Sequence, residues 1–84
     1  MNPTIGFQPI EVMTGSQDYE GRLVLADGKL VAVLVRLSDD GHDSVLRGSW
    51  YLESGFGFIE RHNELFATLE EAAAAIAGWL VGKA

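Results

Sequence analysis

From Thr68 onward, apolar residues recur at three- and four-residue steps. Leu69, Ala72, Ala73, Ile76, Trp79 and Leu80 share one stripe of a helix, and this spacing predicts a helix over 68–82. Thr68 marks its start, because its hydroxyl can accept from the Glu71 amide while the Glu71 carboxylate reaches back to the Thr68 amide. Glu70 and Glu71 suit the positive end of the helix dipole and Lys83 the negative end. A left-handed Gly82 is expected to end the helix. Gly78, inside it, reads as a tolerated small residue or, with Ala74 and Ala77, as a smooth face for close approach.

Upstream the period changes from helical to strand-like. Two apolar runs, 20–26 and 29–37, flank Asp27-Gly28, a pair that accepts the positive φ angles of a type I′ hairpin turn. A two-residue loop without irregularity pairs Ala26 with Lys29, Leu25 with Leu30, Val24 with Val31 and Leu23 with Ala32. One face then carries Leu23, Leu25, Leu30, Ala32 and Leu34, and the other Val24, Val31, Val33 and Val35. A third run, 45–53, alternates cleanly: Leu46, Trp50 and Leu52 fall on one side and Arg47, Ser49, Tyr51 and Glu53 on the other. Residues 56–60 could extend it. At the N-terminus, Ile5 and Phe7 are followed by Ile10 and Val12 with the parity reversed at Pro9, which predicts an edge strand over 5–13, bent or bulged at the proline.

These elements predict an α+β fold: a three- or four-stranded antiparallel β-meander with one C-terminal helix packed on one face, residues 1–84 forming a single small domain. The second hairpin strand is apolar on both sides, whereas a sheet with one wet face alternates. One helix covers one face, so the other needs the N-terminal segment, a loop or a partner chain.

Composition narrows the function. With 84 residues, one core is all the chain can build, and a hydrophobic share of 48% is that of a folding globule. Twelve acidic against six basic residues give a net charge of −6, which disfavours nucleic acid as a partner. Cysteine is absent, which removes disulfides, thiolate metal sites and a thiol nucleophile. Met1-Asn2-Pro3-Thr4 does not open a secretory signal, and the longest apolar run, Ala72 to Val81, is about half of the roughly 20 residues that a membrane span needs. A cytoplasmic protein is the expectation.

Candidate chemistry is sparse. Asp39-Asp40-Gly41-His42-Asp43 lacks the alternating ligand spacing of a calcium loop and reads as a solvated connection. In Glu60-Arg61-His62-Asn63-Glu64, His-x-Glu is half of a zinc-deaminase signature whose thiolate ligands this chain does not possess. None of the serines lies in a Gly-x-Ser-x-Gly elbow. The expectation is therefore no enzyme, no catalytic or metal residues and no cofactor.

Gly55-Phe56-Gly57-Phe58-Ile59 resembles the central submotif of the RNA recognition motif, and the helix after it, with Leu69-Glu70-Glu71-Ala72, is similar to that family's second helix. The resemblance implies stacking of bases on Phe56 and Phe58. It covers Gly55 to Gly82 and departs from the family where Asp27-Gly28 joins two strands directly, where Ser54 replaces a basic residue and where Arg61 replaces the last aromatic. The functional expectation is a non-enzymatic protein-interaction module that self-associates as a homodimer or binds a protein partner. The expected contact residues are Val31, Val33 and Val35 on the second sheet face, with Phe56 and Phe58. RNA or single-stranded nucleic-acid binding through the two phenylalanines, and acidic inhibition of a basic nucleic-acid-binding protein, are the alternatives.

Overall fold

The computed structural model describes residues 3–15, 17–38, 47–57, 59 and 64–82. Five strands follow one another as an antiparallel meander in the order β1-β2-β3-β4-β5: β1 Ile5–Glu11, β2 Glu20–Ala26, β3 Lys29–Arg36, β4 Trp50–Gly55 and β5 Leu65–Phe66. Helix α1, Leu69–Val81, closes one face. The α+β meander with a C-terminal helix is as expected, with five strands where three or four were counted. The additional strand is β5, whose two residues are too few to show a period. β4 ends at Gly55: Phe56 makes one more bond to β3, Gly57 adopts φ +61° and Ile59 donates back to the Phe56 carbonyl, while Phe58 and Glu60 of the expected extension lie outside the described residues.

The β2–β3 turn forms as its sequence requires, with Asp27 at φ 51° and Gly28 at φ 83°. Asp27 does more than turn the chain. Its carboxylate accepts from the Thr4 amide at 2.9 Å while its own amide donates to the Thr4 carbonyl at 2.9 Å, tying the start of β1 to the hairpin tip.

β1 pairs with β2 in continuous register from Ile5 opposite Ala26 to Glu11 opposite Glu20, with no bulge or shift at Pro9. The reversed parity is a change of face. Ile5 and Phe7 lie on the helix side of the sheet and Ile10 on the other. The amide of Asp27 reaches the Thr4 carbonyl and that of Val12 the Tyr19 carbonyl, so even-numbered residues of β1 bond towards β2. Odd-numbered positions, Pro9 among them, therefore face the outer edge. A proline is tolerated there because it has no amide hydrogen to leave unpaired.

Helix α1 starts at Thr68, whose φ −138° and ψ 163° are extended and whose Oγ1 accepts from the Glu71 amide at 3.1 Å. The other half of the predicted box differs: the Glu71 carboxylate accepts from Ala67, one residue before the cap, at 3.0 Å. Gly82 also differs, closing the helix in right-handed geometry at φ −65° with its amide on the Gly78 carbonyl. Lys83 lies outside the described residues.

The core lies between α1 and the sheet. Val24, Ala32, Leu34, Trp50, Leu52, Ile59, Phe66, Ala72 and Ile76 form one buried cluster, with Phe7, Val31, Leu69, Trp79 and Leu80 packed around it. Trp79 meets Phe66 with ring centres 6.1 Å apart and planes tilted by 49°. Beyond the helix, the Arg22 guanidinium lies 5.0 Å from the Trp50 ring centre and bonds to Glu20 at 3.2 Å. It lids the tryptophan by packing and cation–π attraction.

Candidate functional site

Register decides which residues reach the second face, and two bulges set the register. Val24 opposes Ala32 while Leu25 opposes Leu30, so Val31 is an extra residue in β3. In β4, Val33 opposes Ser54 while Leu34 opposes Leu52, which leaves Glu53 unpaired. The regular hairpin register holds for the two pairs next to the turn and then slips by one. Val24 joins Ala32 and Leu34 under the helix, and Leu23 and Leu25 move to the opposite side.

Three rows of paired residues build the second face. Ile10, Gly21, Val35, Tyr51 and Leu65 form the first; Gln8, Leu23, Val33 and Ser54 the second; Gly6, Leu25 and Leu30 the third. No Asp, Glu, Lys, Arg or His stands at any of these paired positions. On the helix side, Glu11, Glu20, Lys29 and Arg36 stand at the ends of their strands and Arg22 lies within β2 opposite Leu34. The charged residues at paired positions all lie on the covered side of the sheet, and Glu53, exposed at the β4 bulge, stands outside the pairing.

The first row is partly closed by the chain itself. A Cβ on Gly21 would stand 2.6 Å from Val12 Cγ2 and 3.2 Å from the carbonyl oxygens of Ile10 and Leu34, so glycine is what lets Val12 lie over this end. Opposite Gly21, Val35 is only 3% exposed. The connection that carries Val12 is pinned: its amide donates to the Tyr19 carbonyl at 2.8 Å, Thr14 Oγ1 donates to the Asp18 carbonyl at 2.8 Å, and the Asp18 carboxylate accepts from the Ser38 amide at 2.7 Å.

The second and third rows are more open. Leu23, Leu25 and Val33 are half-buried and Leu30 is 41% exposed. Phe56 follows β4, its amide donating to the Val31 carbonyl at 2.9 Å, and the residue is 51% exposed. The structure thus separates the expected contact residues. Val31 packs against the core, Val35 is covered, and Val33 lies on the second face in one row with Leu23, next to the row of Leu25 and Leu30. Phe58 lies outside the described residues, as do His42, His62, the acidic stretch 39–43, Val45 and Leu46.

A hairpin without a bulge groups Leu23, Leu25 and Leu30 on one face with Ala32 and Leu34, and the bulge separates them. A polar residue at a fixed parity in the run Leu30 to Val35 would have shown the slip, and none is there. Among the described residues no cluster of three acidic or imidazole side chains is placed to hold a metal ion, and no helix is long and apolar enough to cross a membrane. No family model, curated protein or solved structure matches the chain.

Proposed function

We propose that the chain is a non-enzymatic protein-interaction module whose docking surface is the second face of the sheet, centred on Leu23, Leu25, Leu30 and Val33. The observation that carries this reading is the coincidence of apolar side chains, partial exposure and absence of charge at paired positions on one face. A sheet face meant only for water alternates apolar with polar residues, and its charged groups limit association. Here the charged residues at paired positions stand on the other side. The contact is apolar, so it differs from acidic inhibition of a basic partner, which would place carboxylates at the interface.

The reading is tested on the dilute chain by methyl NMR with a soluble nitroxide. The methyl signals of Leu23, Leu25, Leu30 and Val33 are expected to broaden strongly, while those of Val24, Leu34 and Ile76 stay sharp. Equal protection of the two sets would mean that the second face is filled from within, and the proposal would fail.

A further inference from the structure

We infer that Asp27-Gly28, at the tip of the β2–β3 hairpin, is a latent isoaspartate-forming site, held shut by the turn and by a latch from Thr4. The inference stands independently of the docking face.

The pair can react with itself. The Gly28 nitrogen attacks the side-chain carboxyl carbon of Asp27, and glycine sets no Cβ in the path of approach. A Cγ–N bond forms, and the hydroxyl of the protonated carboxyl leaves with the Gly28 amide proton as water, giving a five-membered succinimide. Water then reopens the ring. When it adds at the main-chain carbonyl of Asp27, the original peptide bond breaks and the chain runs on through Cβ and Cγ as isoaspartate. One water is lost and one regained, so the mass is unchanged and nothing is oxidised or reduced.

The fold opposes the first step. Ring closure needs the Asp27 Cβ and the Gly28 nitrogen to eclipse each other across the Cα–C bond. With Asp27 at φ 51° and Gly28 at φ 83° the turn is of type I′, whose first central residue has ψ of about +30°, the mirror image of the type I value. For an L residue that angle sets Cβ almost opposite the following nitrogen, so the turn must open before the ring can form. Both residues are exposed, and between the turn and the bulge only Ala26 opposite Lys29 and Leu25 opposite Leu30 hold the tip to β3. The further restraint comes from β1. The Asp27 carboxylate accepts from the Thr4 amide at 2.9 Å, and the Asp27 amide donates to the Thr4 carbonyl at 2.9 Å. Local opening of this tip, rather than global unfolding, therefore sets the rate. The product cannot close the latch again in the same way, because isoaspartate carries its free carboxylate on Cα instead of Cβ. The tie that holds the start of β1, where Ile5 and Phe7 pack against the core, is then lost.

The test is incubation of the whole chain in neutral buffer at physiological temperature, folded and in concentrated urea, for the wild type and for Thr4→Pro, which removes the amide donor and keeps the carbonyl. Peptide mapping with electron-transfer fragmentation counts isoaspartate at 27 separately from the chain's other Asp-Gly pair, Asp40-Gly41, which lies outside the described residues. Folded wild type should form isoaspartate at 27 at least about tenfold more slowly than the chain in urea. Thr4→Pro should raise the folded rate at 27 by about threefold or more, with the rate at 40 unchanged. Should that variant fail to fold, the wild type decides alone: in urea too dilute to unfold the core, the rate at 27 should rise in step with hydrogen exchange of the Asp27 amide. No isoaspartate at 27 in concentrated urea would overturn the site. Equal folded and unfolded rates would overturn the protection by the turn. A folded Thr4→Pro chain that reacts no faster, or a wild-type rate that ignores opening of the Asp27 amide, would overturn the latch.

Discussion

Val24 and Leu34 on one side of the sheet, and Leu23, Leu25 and Val33 on the other, are alternate residues of the same two strands. The first two have no exposed surface, whereas the other three remain half-buried. Hydrophobicity does not separate them. What differs is the cover: α1 lays Ala72 and Ile76 over one face, while the other receives Val12 at one end. The charges differ as well, since the covered face carries Glu11, Glu20, Lys29 and Arg36 at its strand ends and Arg22 within β2, and the other has no charge at its paired positions. In water, a rim of charge marks where a face stops being sticky. A face without one is still available for contact.

The comparison breaks most visibly if the same truncation is made on both sides. Leu34→Ala should cost about 3 to 5 kcal/mol, because it deletes buried methyl groups and leaves a cavity beneath the helix. Leu25→Ala in the dilute chain should cost about 1 kcal/mol or less, since part of that side chain already touches water. Urea denaturation of the two variants measures the difference, and equal losses would mean that the faces are equally well packed.

Gly21→Ala probes the end of the second face that Val12 closes. The new methyl would meet two backbone oxygens at 3.2 Å that cannot swing aside, although the valine can. A loss of about 1 to 3 kcal/mol is expected from overpacking, together with shifted Val12 methyl resonances. A neutral outcome would show that the connection from Val12 to Tyr19 rides loosely over the sheet.

The smallest effect should come from Gly78→Ala on the outer side of α1. Nothing lies within 4 Å of the Cβ that this change adds, so relief of the helical penalty of glycine should raise stability by about 0.5 to 1 kcal/mol. That position is exposed in the structure, in keeping with a tolerated small residue rather than a close-packing one. A thermal melt would settle it, and a destabilised variant would point to contact on the far side of the helix.

The helix and the hairpin turn were legible because each is specified by short-range chemistry. Thr68 caps, Asp27 and Gly28 accept positive φ, and a stripe with helical period needs a helix. The two-sided apolar character of β3 was legible for the same reason. Its register was not, because bulges at Val31 and Glu53 arise from how three strands twist together, and the run Leu30 to Val35 contains no polar residue to fix its parity. That slip carried Leu23 and Leu25 across the sheet and moved the centre of the candidate site away from Val31 and Val35. Pro9 misled in the opposite direction. It looked like a bulge and is an ordinary edge position, because hydrogen-bond direction in a strand is set by the partner and leaves no trace in one segment alone.

The order of elements has a consequence for how the chain is made. Each strand pairs with its neighbour in sequence, so the sheet can grow as the chain emerges, one ladder at a time. Helix α1 comes after every strand that it covers. Until its thirteen residues leave the ribosome, Val24, Ala32, Leu34 and Leu52 have no helix to cover them. In a nascent chain that has not yet released α1, the residues of the future core therefore lack the helix that hides them, and they are as open to chaperones as those of the second face.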